Sequence, residues 1–122
     1  MLSARHRLIR GEDFSSVVRS GVRSGSRNML LYFCSGADGD NSPVRVGITV
    51  SKKQIPLATH RNRVKRRLRS LLSGRLNRIR PGSKLVVRVL SDADGVTSTD
   101  LGRDFDSLLQ RCQYLHAKGR RR

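Results

Sequence analysis

Hydrophobic positions recur along this chain with two different periods, and the switches between them outline its elements. Phe14, Val17 and Val18 stand at i, i+3 and i+4, one face of a short helix. Glu12 and Asp13 suit its N-terminus, and Gly21 suits its stop. Residues 22–28 are polar and basic. Met29 to Cys34 is a short apolar run that predicts a strand, and Ser35 to Pro43 is turn chemistry. Val44, Val46, Ile48 and Val50 then alternate with Arg45, Gly47 and Thr49, the pattern of a strand with one buried face. The two strands with this loop predict a hairpin.

From about Thr59 the period lengthens again. Val64, Leu68, Leu71, Leu72, Leu76 and Ile79 form a helical stripe, weakened at Gly74 and ended by Pro81-Gly82. Lys84 to Leu90 predicts a third strand and Ser91 to Thr99 a polar turn region. Leu101, Phe105, Leu108, Leu109, Cys112 and Leu115 mark a last helix. The expected fold class is α+β, an α-β-β-α-β-α sandwich with a small central sheet and its helices on one face. The expected organisation is one domain over residues 1–117, followed by a basic tail over 118–122.

Charge turns this outline toward a partner. Lys and Arg total 26 of 122 residues against 9 Asp plus Glu, a net charge of +17. Such a chain repels itself on compaction, and a polyanion relieves that repulsion. Phosphate backbones fit best, because each neutralised phosphate releases counterions. A membrane surface fits poorly, since no amphipathic segment pairs a broad Lys face with Trp or Phe. No N-terminal apolar run reads as a signal peptide, and no stretch is long enough to span a bilayer. Cys34 and Cys112 sit in apolar patterns and read as free thiols of a reducing, cytoplasmic compartment.

The charge is most concentrated in Arg61-Asn62-Arg63-Val64-Lys65-Arg66-Arg67-Leu68-Arg69, where six of nine residues are basic. At 100° per residue, Asn62, Lys65, Arg66 and Arg69 gather on one flank and Arg63 and Arg67 on the other. The apolar stripe fixes the helix while the cations face outward. A solvated helix face is the plain alternative, but arginine's bidentate geometry favours phosphate. Alternation puts Tyr32 and Phe33 on opposite sheet faces. Phe33 and Phe105 suit the core; Tyr32 and Phe14 suit either core packing or stacking on an unpaired base. Ser51-Lys52-Lys53 directly follows a strand, as a phosphate contact or a solubilising turn. His6, His60 and His116 have no partner at metal spacing, the acids fall at turn, cap and exposed helix positions, and there is no Gly-rich phosphate loop. The residues therefore point to a nucleic-acid binder with no catalytic or metal site of its own.

Val46-Gly47-Ile48-Thr49-Val50-Ser51-Lys52-Lys53 followed by Arg61 to Arg69 resembles the signature of the ribonuclease P protein subunit family. The resemblance covers nearly the whole chain. It implies a fold like domain 2 of ribosomal protein S5, with a left-handed βαβ crossover where the general rule is right-handed. It implies a protein that assists a catalytic RNA, its partner, in removing the 5′ leader from precursor tRNA, with Mg²⁺ bound chiefly by the RNA. By the same resemblance Arg61, Asn62, Arg63, Lys65, Arg66, Arg67 and Arg69 contact that RNA. Phe14, Val18, Tyr32, Lys52 and Lys53 line a cleft for the leader. No membrane or small-molecule partner is expected. The chain departs from the family pattern in a Gln54–His60 linker one residue longer and without glycine, and in Val18 where an aromatic is frequent. A ribosomal protein or a protein-only nuclease are the competing classes. The signature argues against the first, and the lack of a carboxylate cluster against the second.

Overall fold

The computed structural model describes residues 3–8 and 11–119. Three helices, α1 (Gly11–Ser20), α2 (Ala58–Ser73) and α3 (Ser98–Ala117), surround four strands. The strands are β1 (Val22–Gly25), β2 (Met29–Cys34), β3 (Arg45–Thr49) and β4 (Lys84–Val89), in the sheet order β1-β2-β4-β3. β2 is antiparallel to β1 and β4, whereas β3 runs parallel to β4. Two adjacent parallel strands joined through a helix, β3-α2-β4, form a βαβ unit.

The expected β2–β3 hairpin is therefore wrong, because β4 lies between those strands. The true hairpin is β1–β2, pairing Val22 with Phe33 and Gly25 with Leu30. Ser26 closes its turn: the Ser26 N–H donates to the Met29 carbonyl, and the Ser26 hydroxyl accepts from Asn28 N–H at 3.1 Å. β1 escaped the pattern because its buried positions are only Val22 and Ser24, separated by Arg23. Gly21 joins α1 to β1 by close approach, since a Cβ there would lie 2.6 Å from the Phe33 carbonyl oxygen.

The sheet has two faces of different character. Met29, Leu31, Phe33, Val46, Leu85, Val87 and Val89 point to the face covered by α2 and α3, and all are buried. Val64, Leu68 and Leu72 of α2 are fully buried against it, each worth about 1.5–3 kcal/mol. Like-charged i,i+4 pairs such as Arg63/Arg67 cost only about 0.2–0.5 kcal/mol each, so packing wins and the basic helix holds. Contrary to the one-face expectation, α1 packs on the other side, where Val17 closes over Tyr32 and Val86 with Leu8. The stripe of α2 also ends sooner than its period suggests. Gly74 caps the helix, and Leu76–Arg78 continues as a 3₁₀ turn that delivers Ile79 to the core.

Both cysteines are free thiols, as expected, but only Cys112 is buried; Cys34 is half-buried. Burial pushes the Cys112 thiol up to about 12. Of the expected tail, Lys118 and Gly119 form the turn after α3, and residues 120–122 lie outside the described residues. No helix among the described residues is long and apolar enough to cross a membrane.

Candidate nucleic-acid interface

α2 presents its cations on two flanks that differ in what they touch. Arg63 Nη2 donates to Asp94 Oδ1 at 3.1 Å, and Arg67 Nη1 donates to the Val96 carbonyl at 2.7 Å. His60 Nδ1 reaches the same carboxylate at 2.9 Å. The His60 hydrogen bond, and then Arg63, hold Asp94 below the ordinary value of 3.8. This flank is tied to the loop between β4 and α3. Asn62, Lys65, Arg66 and Arg69 have no side-chain partner among the described residues. Asn62, Arg66, Arg69 and Ser70 line an open cavity of about 370 Å³.

Arg61 behaves differently from both flanks. It shares the helical phase of Leu68 and Leu72, so it turns back toward the linker. Its Nη1 donates to the carbonyls of Ile55 at 3.0 Å and Pro56 at 2.8 Å. Ile55 is itself buried, and Gln54 Oε1 accepts from Ser91 N–H at 2.9 Å. These contacts fix the entry angle of α2 without the missing glycine. Leu57, which precedes the helix, offers no side-chain cap. Ser51, Lys52 and Lys53 form an exposed turn immediately after β3 and its following residue.

The α1 side of the sheet supplies a second set of groups. Strand register places three rows on this face: Gly25-Leu30-Arg88-Thr49, Arg23-Tyr32-Val86-Gly47 and Cys34-Lys84-Arg45. α1 covers the middle row. Tyr32 is only 6% exposed there, so α1 has taken up most of its ring. The Arg88 guanidinium stands 5.6 Å from the Tyr32 ring centroid, a cation–π pair at the border of the covered zone. Phe14 lies directly on Gly47, where a Cβ would meet its Cζ at 2.3 Å. Val18 packs beside it on the same cluster.

A cavity of about 190 Å³ between Phe14, Gly47, Ile48, Arg7 and Leu8 is also lined by Arg69 of α2. Arg69 thus belongs to two cavities and connects the free flank of the basic helix to the sheet-face cleft. A further cavity of about 440 Å³ runs from Arg88 and Thr49 to Ser51 and Gln54, beside the lysine turn. The acids are mostly engaged elsewhere. Asp94 pairs with His60 and Arg63, Asp106 with Arg75 and Arg78, Asp38 with Arg80, and Asp104 accepts from Ser26. The result is an uncompensated basic track at fixed geometry, which suits a polyanion. Among the described residues no group of three or more His, Cys, Asp or Glu stands close enough to hold a metal ion. The hard oxygen donors that Mg²⁺ prefers are not assembled here.

Comparison with known proteins decides which polyanion. The family model described as "Ribonuclease P" matches residues 2–113. The chain belongs to the ribonuclease P protein family. It is 42% identical over 117 residues to the ribonuclease P protein component of Streptomyces bikiniensis, covering 91% of this chain and 94% of that one. It is 37% identical over 113 residues to that of Mycobacterium sp. strain KMS, covering 93% and 94%. The Staphylococcus aureus RNase P protein structure superposes with a TM-score of 0.74 at 25% identity, covering 86% of this chain and 93% of that one. The RNase P protein from Thermotoga maritima gives 0.72 at 24%, covering 88% and 97%, which supports the shared fold. The function is accordingly that of the protein subunit of a ribonucleoprotein endoribonuclease that removes the 5′ leader from precursor tRNA. The enzyme family is Mg²⁺-dependent and works with a catalytic RNA.

Helical phase groups Asn62, Lys65, Arg66 and Arg69 on one flank, and of these Asn62, Arg66 and Arg69 line a common cavity. The sequence pattern set Arg63 and Arg67 on the opposite flank, but it gave no sign that these two and Arg61 are engaged by the protein itself. It also passed over Arg23, Arg45, Lys84 and Arg88, the cations on the α1 face. For Arg45 the signal was present, since it occupies the polar phase of the alternating 44–50 run; for Arg23 it was hidden with β1, and in β4 the buried Val86 between Lys84 and Arg88 masks the phase.

Proposed function

We propose that the free flank of α2 grips the catalytic RNA while the sheet-face cleft receives the single-stranded leader of precursor tRNA. The observation that carries this is Arg69, which lines both the α2 cavity and the Phe14 cleft. One continuous RNA-binding surface then serves both strands. Asn62, Lys65, Arg66 and Arg69 meet phosphates, with arginine forks giving bidentate contacts. Half-buried Phe14 offers a stacking surface, the buried Tyr32 ring backs the cleft floor and holds Arg88 over it, and Val18 offers apolar contact without a ring. Arg88, Lys52 and Lys53 neutralise the leader backbone at the border of the cleft. Arg61, Arg63 and Arg67 hold α2 to its linker and to the Asp94 loop, and so position the gripping flank.

Catalysis belongs to the RNA in this scheme, and Mg²⁺ is bound chiefly by RNA; the described residues of this chain assemble no cluster of the oxygen donors it prefers. The protein's electrostatic contribution is to lower RNA–RNA repulsion, which lowers the Mg²⁺ needed. Residues 1–117 act as one domain with a basic tail, working in the cytoplasm; the free thiols support that compartment. Precursor-tRNA cleavage by a bacterial ribonuclease P RNA at low Mg²⁺, with and without this protein, is the test. Restored leader removal, with no cleavage by the protein alone, is expected. Binding of the RNA with cleavage unchanged would reduce the chain to a general RNA binder.

A further inference from the structure

The most exposed aromatic ring of the protein lies on the layer opposite the leader cleft. Tyr114 of α3 is 60% exposed, whereas Phe33, Phe105 and Tyr32 are buried. Arg103, Ser107, Arg111, Tyr114 and Lys118 recur at three- and four-residue spacing and are all exposed, so they form one outward stripe. Lys118 Nζ stands 5.3 Å from the Tyr114 ring centroid. Arg111 makes no ion pair among the described residues. The acids of α3, Asp100, Asp104 and Asp106, all precede Ser107, and the C-terminal half has none. Complementing the helix macrodipole accounts for Lys118 at this end. It does not account for a tyrosine ring held in water with a lysine over it and an exposed arginine one turn earlier.

We infer that this stripe is a second RNA-docking surface, on which Tyr114 stacks an unpaired base of the catalytic RNA and Arg111 and Lys118 contact its phosphates. The inference rests on the RNA-binding function argued above. An aromatic ring flanked by cations is the pattern that binds single-stranded RNA without reading its sequence. The net charge of +17 and the acid-free half of α3 make RNA a better match than an ordinary protein surface. α3 covers the sheet face opposite α1, so RNA on Tyr114 and RNA in the cleft lie on two sides of the protein. The protein is then held between two RNA segments, and binding to the catalytic RNA is separable from leader recognition.

The experiment compares affinity for a bacterial ribonuclease P RNA among wild type, Tyr114→Ala, Tyr114→Phe and the Arg111→Ala/Lys118→Ala double variant. Tyr114→Ala is expected to weaken binding about tenfold while Tyr114→Phe keeps it, since only the ring is needed. The double variant should lower the salt slope by about 1.4–1.8. Discrimination between precursor and mature tRNA should stay at its wild-type value, because the cleft is untouched. Thermal unfolding of each variant checks that the exposed substitutions leave the fold intact. Unchanged RNA affinity in both Tyr114→Ala and the double variant overturns the inference. If Arg66→Ala/Arg69→Ala loses affinity in the same assay, the α2 interface survives that outcome. A concentration-dependent dimer lost in Tyr114→Ala, with RNA affinity unchanged, overturns it in favour of self-association. Wild-type protein that fails to bind the RNA removes the functional reading and this inference together.

Discussion

The two flanks of α2 carry the same kind of side chain and do different work. Arg63 and Arg67 face the loop between β4 and α3, where Asp94 and the Val96 carbonyl accept their N–H groups. Arg66 and Arg69 lie on the other side of the same turns, face an open cavity and have no partner among the described residues. The difference is made by the neighbours: one flank abuts an acid-bearing loop, the other the rim of the sheet. A basic run is therefore informative about binding only after its internally satisfied members are subtracted. What remains here is a row of unsatisfied donors beside a cleft that contains an aromatic ring.

The sharpest way to break the comparison is to truncate the free flank. Arg66→Ala/Arg69→Ala should weaken binding to the catalytic RNA by about 100-fold or more, the value of two charge-assisted contacts at about 1.5 kcal/mol or more each. The slope of log K against log salt should become shallower by about 1.4–1.8. Melting temperature should hold, since neither side chain has a partner among the described residues. A fall in stability without loss of RNA binding would reverse the assignment of the two flanks.

A somewhat smaller effect is expected where the free flank joins the cleft. In Gly47→Ala the new methyl group meets Phe14 Cζ at 2.3 Å, so the ring must move or the strand must shift. Overpacking of this kind costs about 1–3 kcal/mol of stability. The displaced ring should also reduce preference for leader-bearing over mature tRNA about five- to tenfold. Affinity for the catalytic RNA should change much less. Equal losses for both RNAs would mean that the cleft and the helix do not act as separate sites.

How much of this was legible in the sequence depends on whether the deciding interaction was local. The period of Val64, Leu68, Leu71 and Leu72 identified α2, and helical phase alone grouped Asn62, Lys65, Arg66 and Arg69. The strand at 29–34 was legible because both its faces are apolar. Phase also contained the signal that Arg61 turns inward, which the charge of the run obscured. The insertion of β4 between β2 and β3 was not legible, since pairing joins segments some 50 residues apart. Nor was the fate of Arg63, whose partner Asp94 lies 31 residues away. α1 on the second face could not be read from Phe14, Val17 and Val18, because a short amphipathic stripe says that a face is buried but not against which side of a sheet.

On the engaged flank the expected response moves from RNA to stability. Arg67→Ala removes the 2.7 Å bond to the half-buried Val96 carbonyl and leaves that oxygen without its charged donor. The expected cost is about 1–2 kcal/mol, seen as a melting temperature lower by about 5 °C. RNA affinity should fall by less than about threefold, through loosened positioning of α2 and one lost charge. A loss as large as that of the free-flank variant, with stability intact, would show that Arg67 leaves Val96 to meet RNA in the complex.

The smallest effect concerns the acid that makes the two flanks unequal. Asp94 is held below its ordinary value first by the His60 hydrogen bond and then by Arg63. A carboxylate with a lowered folded value contributes its stability in full above the unfolded value of 3.8, and loses it as pH falls through the lowered folded value. Wild-type protein should therefore lose the stabilisation from this acid only in the strongly acidic range. Asp94→Asn should be slightly less stable at neutral pH and should converge on wild type as the pH is lowered through that window. Thermal melts of both proteins between neutral and acidic pH would show the convergence. The same substitution frees Arg63 from its counter-charge, so RNA affinity at neutral pH should hold or rise slightly. A clear fall in affinity would instead mean that the free flank depends on this ion pair to keep α2 in place, and that the two flanks are one coupled device.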